Sequence, residues 1–130
     1  MIVDSSALIA IIFGEPEGDH LLKVLMAGSP RISAATYFET GMVIDRKAED
    51  GFPAEAFERL LTMTRIEVVP VTRGQAVLAR AAYRAFGKGN HRAGLNFGDC
   101  FTYALARETG EPLLFKGDDF ARTDIEPALK

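Results

Sequence analysis

Met1-Ile2-Val3-Asp4-Ser5-Ser6-Ala7-Leu8 opens the chain, and the fold turns on how this stretch is read. Ile2 and Val3 are apolar without alternation, the pattern of a strand covered on both faces by helices. Ser5 and Ser6 are residue types that begin helices. Asp4 therefore stands where a buried strand hands over to a helix, at the carboxyl edge of a parallel sheet. Open α/β sheets put their ligands at that edge. Alone, Asp4 is better explained as a helix cap. It gains a chemical meaning only if other carboxylates arrive at the same place.

Outward from this stretch the chain alternates short apolar strands with helices. Ala7 to Phe13 is apolar on nearly every side and stops at Gly14, and Glu15-Pro16-Glu17-Gly18 is a turn. Asp19 is expected to cap a helix that carries Leu21, Leu22, Val24, Leu25 and Met26 and ends at Gly28 before Pro30. His20, in its first turn, reads as solvated surface. Arg31-Ile32-Ser33 reads as a second strand because helices flank it. The next helix, Ala34 to Ala48, is expected to turn Ala35, Phe38, Met42 and Val43 to one face. Glu39 lies on or beside that face, where a carboxylate costs free energy unless something pairs with it. The plainer alternative is an edge residue reaching water or Arg46.

Pro53 suits the first turn of a helix whose apolar face holds Phe57, Leu60 and Leu61. The β-branched run from Arg65 to Val71 is the third strand. Thr72 and Gln75 have the spacing of a capping box, opening a helix with Val77, Leu78, Ala82, Tyr83 and Phe86. Gly87-Lys88-Gly89-Asn90-His91-Arg92-Ala93-Gly94 is a glycine-rich, mobile loop that, with Arg84, concentrates positive charge. Such residues can hold a phosphate backbone without reading sequence, though a loop of this kind is more often simply solvated. Asn96 caps a final helix carrying Phe101, Ala104 and Leu105, with Asp99 at its third position, where the helix dipole alone favours an acid. Glu111 to Phe115 gives a last strand, followed at once by Lys116-Gly117-Asp118-Asp119-Phe120. The tail from Ala121 to Lys130 is a short closing segment.

The order of elements predicts an α/β fold: three layers, with a small parallel sheet flanked by helices. At 130 residues and 48% hydrophobic, the chain suits one compact domain spanning 1–130. A single cysteine, Cys100, excludes an intrachain disulfide and a thiolate metal cluster. A cytoplasmic location is expected from that, from a start without a leader and from the lack of a membrane-length apolar run. The net charge of -3 argues against broad non-specific binding to nucleic acid but allows a local basic patch.

In a right-handed winding, helices that follow strands begin at the same sheet edge. Asp4, Glu39, Asp99 and Asp118 can therefore converge. Crowded carboxylates must take up protons or bind a cation, and oxygen-only donors favour Mg2+ or Mn2+. A metal held there activates water and neutralises phosphate charge, which points to phosphodiester hydrolysis.

From Ile2-Val3-Asp4-Ser5-Ser6-Ala7-Leu8, through Glu39 and Gly98-Asp99-Cys100, to Leu113-Leu114-Phe115-Lys116-Gly117-Asp118-Asp119-Phe120, the chain resembles a PIN-domain ribonuclease of the VapC toxin type. The resemblance covers essentially the whole chain. It implies a PIN-like fold and a Mg2+- or Mn2+-dependent endoribonuclease acting on structured RNA, tRNA or rRNA, restrained by a cognate VapB-like antitoxin. It carries Asp4, Glu39 and Asp99 onto the family's acids, with Asp118 as the fourth and Asp119 as its replacement. Asp4, Asp99 and Asp118 are then metal ligands, Glu39 holds a second metal or positions water, and Ser6 orients the first acid. The resemblance also implies a homodimer and an antitoxin groove near the early helices. Arg84, Lys88, His91 and Arg92 are the candidate RNA contacts.

The main competing reading is a catalytically inactive PIN-like module that binds RNA or protein; such a module would be expected to have lost acids that this chain retains. A phosphorylated receiver domain fits less well, since its acid should end a central strand and the third strand here runs into Pro70-Val71-Thr72. A metal-free ribonuclease would need a histidine acid or base, and neither His20 nor His91 has an evident partner.

Overall fold

A computed structural model of the chain describes residues 1–129. Among them, β1 (Ile2–Val3), β2 (Arg31–Ser33), β3 (Glu67–Val69) and β4 (Leu113–Leu114) form one sheet in the order β3-β2-β1-β4. Every pairing is parallel. The helices are α1 (Ser5–Ile12), α2 (Gly18–Ala27), α3 (Ala34–Ala48), α4 (Ala56–Thr64), α5 (Arg73–Phe86) and α6 (Phe97–Thr109). This is the expected small parallel sheet flanked by helices. A 3-10 turn, Phe120–Arg122, begins the closing segment, whose last residue, Lys130, lies outside the described residues.

The unalternating apolar strands have a simple origin. β1 and β4 are in register, Ile2 beside Leu113 and Val3 beside Leu114. Successive strand residues face opposite sides of the sheet. Ile2 and Leu113 therefore enter a core made with α5 and α6, through Ala79, Ala82, Tyr103 and Leu105. Val3 and Leu114 enter a second core with Ile32 and residues of α1, α2, α3 and α4, among them Leu8, Leu25, Ile44 and Leu60. With helices on both faces there is no wet side for a polar residue to occupy.

Strand order also locates the crevice. From β1 the chain moves outward to β2 and β3, and β4 returns on the other side of β1. The carboxyl ends of β1 and β4 thus flank the point where the winding reverses, the usual ligand position in such sheets. The Asp4 amide donates to the Leu114 carbonyl (2.9 Å), which ties the first acid to the end of β4. At the opposite edge the Met1 amino group and Arg31 both bind the Glu111 carboxylate.

Several local expectations are corrected. α2 starts at Gly18 with Glu17 in the cap position and no side-chain cap bond, so Asp19 lies in the first turn and does not cap. Pro53 precedes α4, whose cap position is Glu55. On α3 the buried residues are Thr36, Thr40 and Ile44, while Phe38 and Met42 are 66% and 52% exposed. The reason is a polar contact that hydrophobic periodicity does not register: α3 turns Thr36 inward to meet Thr102 of α6. On α5 the buried face is Gln75, Ala79 and Ala82, with Val77 and Tyr83 exposed. The Thr72 hydroxyl caps Gln75 as expected, but the Gln75 side chain donates to Glu108 (2.8 Å) and so braces α5 against α6 instead of completing a box.

Candidate active site

Asp4 is both the cap that its position suggests and something more. Its Oδ2 accepts from the Ser6 amide (3.0 Å), capping α1. Its Oδ1 accepts from the Thr102 hydroxyl (2.9 Å) on α6, and the residue is buried. Thr102 is itself 3.1 Å from the Thr36 hydroxyl. A hydroxyl has one proton to give. Since Thr102 gives its proton to Asp4, Thr36 must donate to Thr102, and α3 and α6 together orient the first acid through this buried relay. Neither threonine was singled out from sequence. The available signal was a Thr three residues beyond Asp99, set among apolar neighbours.

Ser6 meets the first acid through its backbone. Its backbone amide holds Asp4, while its hydroxyl accepts from the Lys116 amide (3.0 Å). It thereby fastens the segment that follows β4 to the start of α1. The Lys116 side chain turns away to Glu15 and Glu17.

Asp99 sits in a complete capping box at the start of α6. The Asn96 side chain accepts from the Asp99 amide (2.9 Å), and Asp99 Oδ2 accepts from the Asn96 amide (3.0 Å). Its carboxyl is pushed up to about 7. Burial is the main cause, opposed by the Asn96 amide and reinforced by the charges of Asp4, Glu39 and Asp119. Glu39 is also raised, first by burial and then by the charge of Asp4, against a hydrogen bond from Ser5; Arg46 is not among the groups acting on it. Its Oε1 is buried without a hydrogen-bond partner. Asp4, Glu39 and Asp99 thus share one electrostatic neighbourhood.

Asp118 and Asp119 are both exposed on the loop after β4. The charge of Asp119 is felt at Asp99; that of Asp118 is not among the groups acting there. The basic loop is more organised than a mobile tether. Lys88 and Leu95 pair through the backbone (2.9 Å), the Asn90 side chain donates to the Tyr83 carbonyl (3.2 Å), and His91 Nδ1 accepts from the Ala93 amide (2.9 Å). His91 also packs edge-on to Phe86. Arg84, Lys88 and Arg92 are exposed. Lys88 shares a cavity of about 540 Å³ with Asn96 and Phe97, which brings one end of the loop beside the start of α6.

The donor set is all oxygen, its members repel one another, and one buried carboxylate oxygen lacks a partner. Each of these features suits a hard divalent cation. No three His, Cys, Asp or Glu side chains among the described residues already surround a single ion position. Asp4 and Asp99 each have an oxygen engaged in a helix cap.

The sequence matches the PIN domain family across residues 1–126. It is 48% identical to ribonuclease VapC28 of Mycobacterium tuberculosis, over 99% of this chain and 98% of that protein. Among solved structures it resembles VapC20 of Mycobacterium tuberculosis, described as a sarcin-ricin loop cleaving toxin, with TM-score 0.72 at 18% identity, covering 95% of each chain. A toxin-antitoxin complex from Klebsiella pneumoniae aligns with TM-score 0.70 at 19% identity, over 95% of this chain and 92% of that one. At these identities the structural likeness speaks for the fold.

Two outcomes are expected of this geometry. Thr102→Val preserves shape but removes the donor to Asp4 and strands the Thr36 hydroxyl, so chemical denaturation should show a loss of about 1–3 kcal/mol. Metal-free protein should also lose stability as pH rises. The Asp99 carboxyl is raised to about 7 when folded, from the ordinary aspartate value of 3.8, so the folded state holds the extra proton between those values. That favours the fold at the acid end and is lost as pH climbs through the folded value. Asp99→Asn should remove most of this slope. Melting curves of wild type and variant with chelator present test it, and equal slopes in the two proteins would contradict it.

Proposed function

This chain belongs to the PIN domain family, and from that membership we propose that it is a metal-dependent endoribonuclease, the toxin of a toxin-antitoxin pair. Its substrate is structured RNA, tRNA or rRNA, in which it hydrolyses phosphodiester bonds. The observation that carries the reading is the crowding of Asp4, Glu39 and Asp99, with the Asp99 carboxyl raised to about 7 by burial and by its acidic neighbours. A merely structural site would gain nothing from keeping such charges together. The relative's designation as a ribonuclease supports the same activity.

Asp4, Asp99 and a fourth acid from Asp118-Asp119 would hold Mg2+ or Mn2+, with Glu39 as a second-metal ligand or a water-positioning group. The electrostatics at Asp99 favour Asp119 over Asp118 as the fourth acid. The chemistry such a cation supplies when bound is neutralisation of phosphate charge and activation of water. Thr102 and the Ser6 amide keep Asp4 from turning away from the pocket. Glu39 Oε1, buried and without a partner, is suited to accept a hydrogen bond from the attacking water and orient it for displacement. Arg84, Lys88, His91 and Arg92 provide the phosphate contacts that set the RNA backbone beside the acids.

The VapB-like antitoxin would bind near the early helices, where α1 and α4 leave a groove lined by Ile11, Ile12, Arg59, Leu60 and Met63. An Arg or Lys from that partner set against the acids would silence them by charge complementarity. The homodimer reading is supported by exposed apolar side chains on α3, α5 and α6, with Phe97 80% exposed. No helix among the described residues is long and apolar enough to cross a membrane; the proposed place of action of this single domain is the cytoplasm.

Purified, antitoxin-free protein incubated with total tRNA and rRNA should give discrete products with Mg2+ or Mn2+, none with chelator, and at least ~10²-fold fewer with Asp99→Asn. Folded, metal-loaded protein that leaves both RNA pools intact would favour a binding module instead.

A further inference from the structure

Gly98 immediately precedes Asp99 on α6 and meets the Glu39 carboxylate of α3, and its being glycine needs a reason. It lies in the first turn of α6 and is buried. It is not among the glycines with positive φ, so the backbone does not require it. Alanine favours a helix over glycine at such a position. What alanine lacks here is room. A Cβ built on Gly98 would lie 2.0 Å from Glu39 Oε2, 2.5 Å from Glu39 Cδ and 2.7 Å from Oε1. All three of the nearest atoms belong to that single carboxylate.

We propose that Gly98 is a positioning residue of the site: the missing side chain is the seat on which the Glu39 carboxylate rests beside Asp99. α6 then positions three acids from its first two turns. Gly98 seats Glu39, Asp99 is itself an acid, and Thr102, four residues on and so on the same face as Gly98, fixes Asp4. The seat is specific because its occupant is the end of a flexible side chain. A methyl group at Gly98 displaces the carboxylate and leaves the packing of α6 on the sheet intact, so the loss falls on the site and not on the fold. The role in catalysis rests on the nuclease reading above, whereas the seat itself does not.

A double-variant cycle tests it. Gly98→Ala is expected to lower kcat for RNA cleavage about 10-fold or more, with KM within about 2-fold, because substrate binding does not pass through Glu39. In a Glu39→Gln background the same change should cost less than about 2-fold, since the group it displaces has already lost its function. Unfolding midpoints provide a readout independent of activity. In a Glu39→Ala background, with the carboxylate gone, Gly98→Ala should raise the midpoint more than it does in wild type. If Gly98→Ala alone fails to fold, recovery of folding in the Glu39→Ala pair supports the seat and failure to recover overturns it. Cleavage by Gly98→Ala at the wild-type rate, losses that multiply with Glu39→Gln, or equal midpoint shifts in the two backgrounds would each overturn it. A wild type that cuts no RNA yet shows the midpoint coupling would keep the seat and reject the nuclease.

Discussion

Mutual repulsion among carboxylates held at the edge of a sheet is the constraint on which the rest of this structure depends. Asp4, Glu39 and Asp99 come from three different helix starts or faces, yet each lies within the electrostatic reach of another. Burial makes that proximity expensive, because a low-dielectric setting disfavours the charged forms of Glu39 and Asp99. Much of the surrounding architecture offsets the cost. Asp4 receives two hydrogen bonds, Asp99 receives the amide of its own cap, and the Ser6 hydroxyl fastens the segment carrying Asp118 and Asp119. Of these three acids, Glu39 is the one that keeps an oxygen buried without a partner. The tension is left concentrated there, where a cation or a water would relieve it.

α6 carries most of this arrangement. Its first two turns contain the capping box, the glycine under Glu39 and the threonine that reaches Asp4, and its later residues fill the core beneath the sheet. Anchoring the site to a helix that also forms the core gives it rigidity, since moving the acids apart would mean unpacking Tyr103, Leu105 and their neighbours. The sheet contributes the other fixed point. With β1 and β4 in register, the residues that follow them emerge side by side, so the first acid and the segment bearing the last share one corner through backbone geometry alone.

How much of this could be read in the sequence depends on which physics wrote it. The buried strand Ile2-Val3, the helix start at Asn96 and the acid at the end of β1 leave local marks, because apolar runs and cap residues are set by their own neighbours. The second strand, Arg31 to Ser33, was legible only through the helices around it. The inner face of α3 was not legible. Phe38 and Met42 are the hydrophobic choice for a core, yet Thr36 and Thr40 are the residues inside; at Thr36 the turn inward goes with a hydroxyl contact to Thr102, which holds Asp4. Gly98 was likewise visible in a motif but silent about its reason, which is a carboxylate arriving from another helix. The choice between Asp118 and Asp119 is illegible for the same cause: adjacent acids on one loop carry the same local marks.

If crowding is what defines this site, a cation entering it must expel a proton. Calorimetric titration of Mn2+ into the metal-free protein, repeated in buffers of different ionisation enthalpy, measures that directly. The expected result is a buffer-dependent heat near pH ~6, reporting proton release on binding, that fades by pH ~8.5 as the carboxyls empty by themselves. Binding heats identical in all buffers near pH ~6, or no binding at all, would contradict the view that buried, mutually repelling acids are poised to hold a metal.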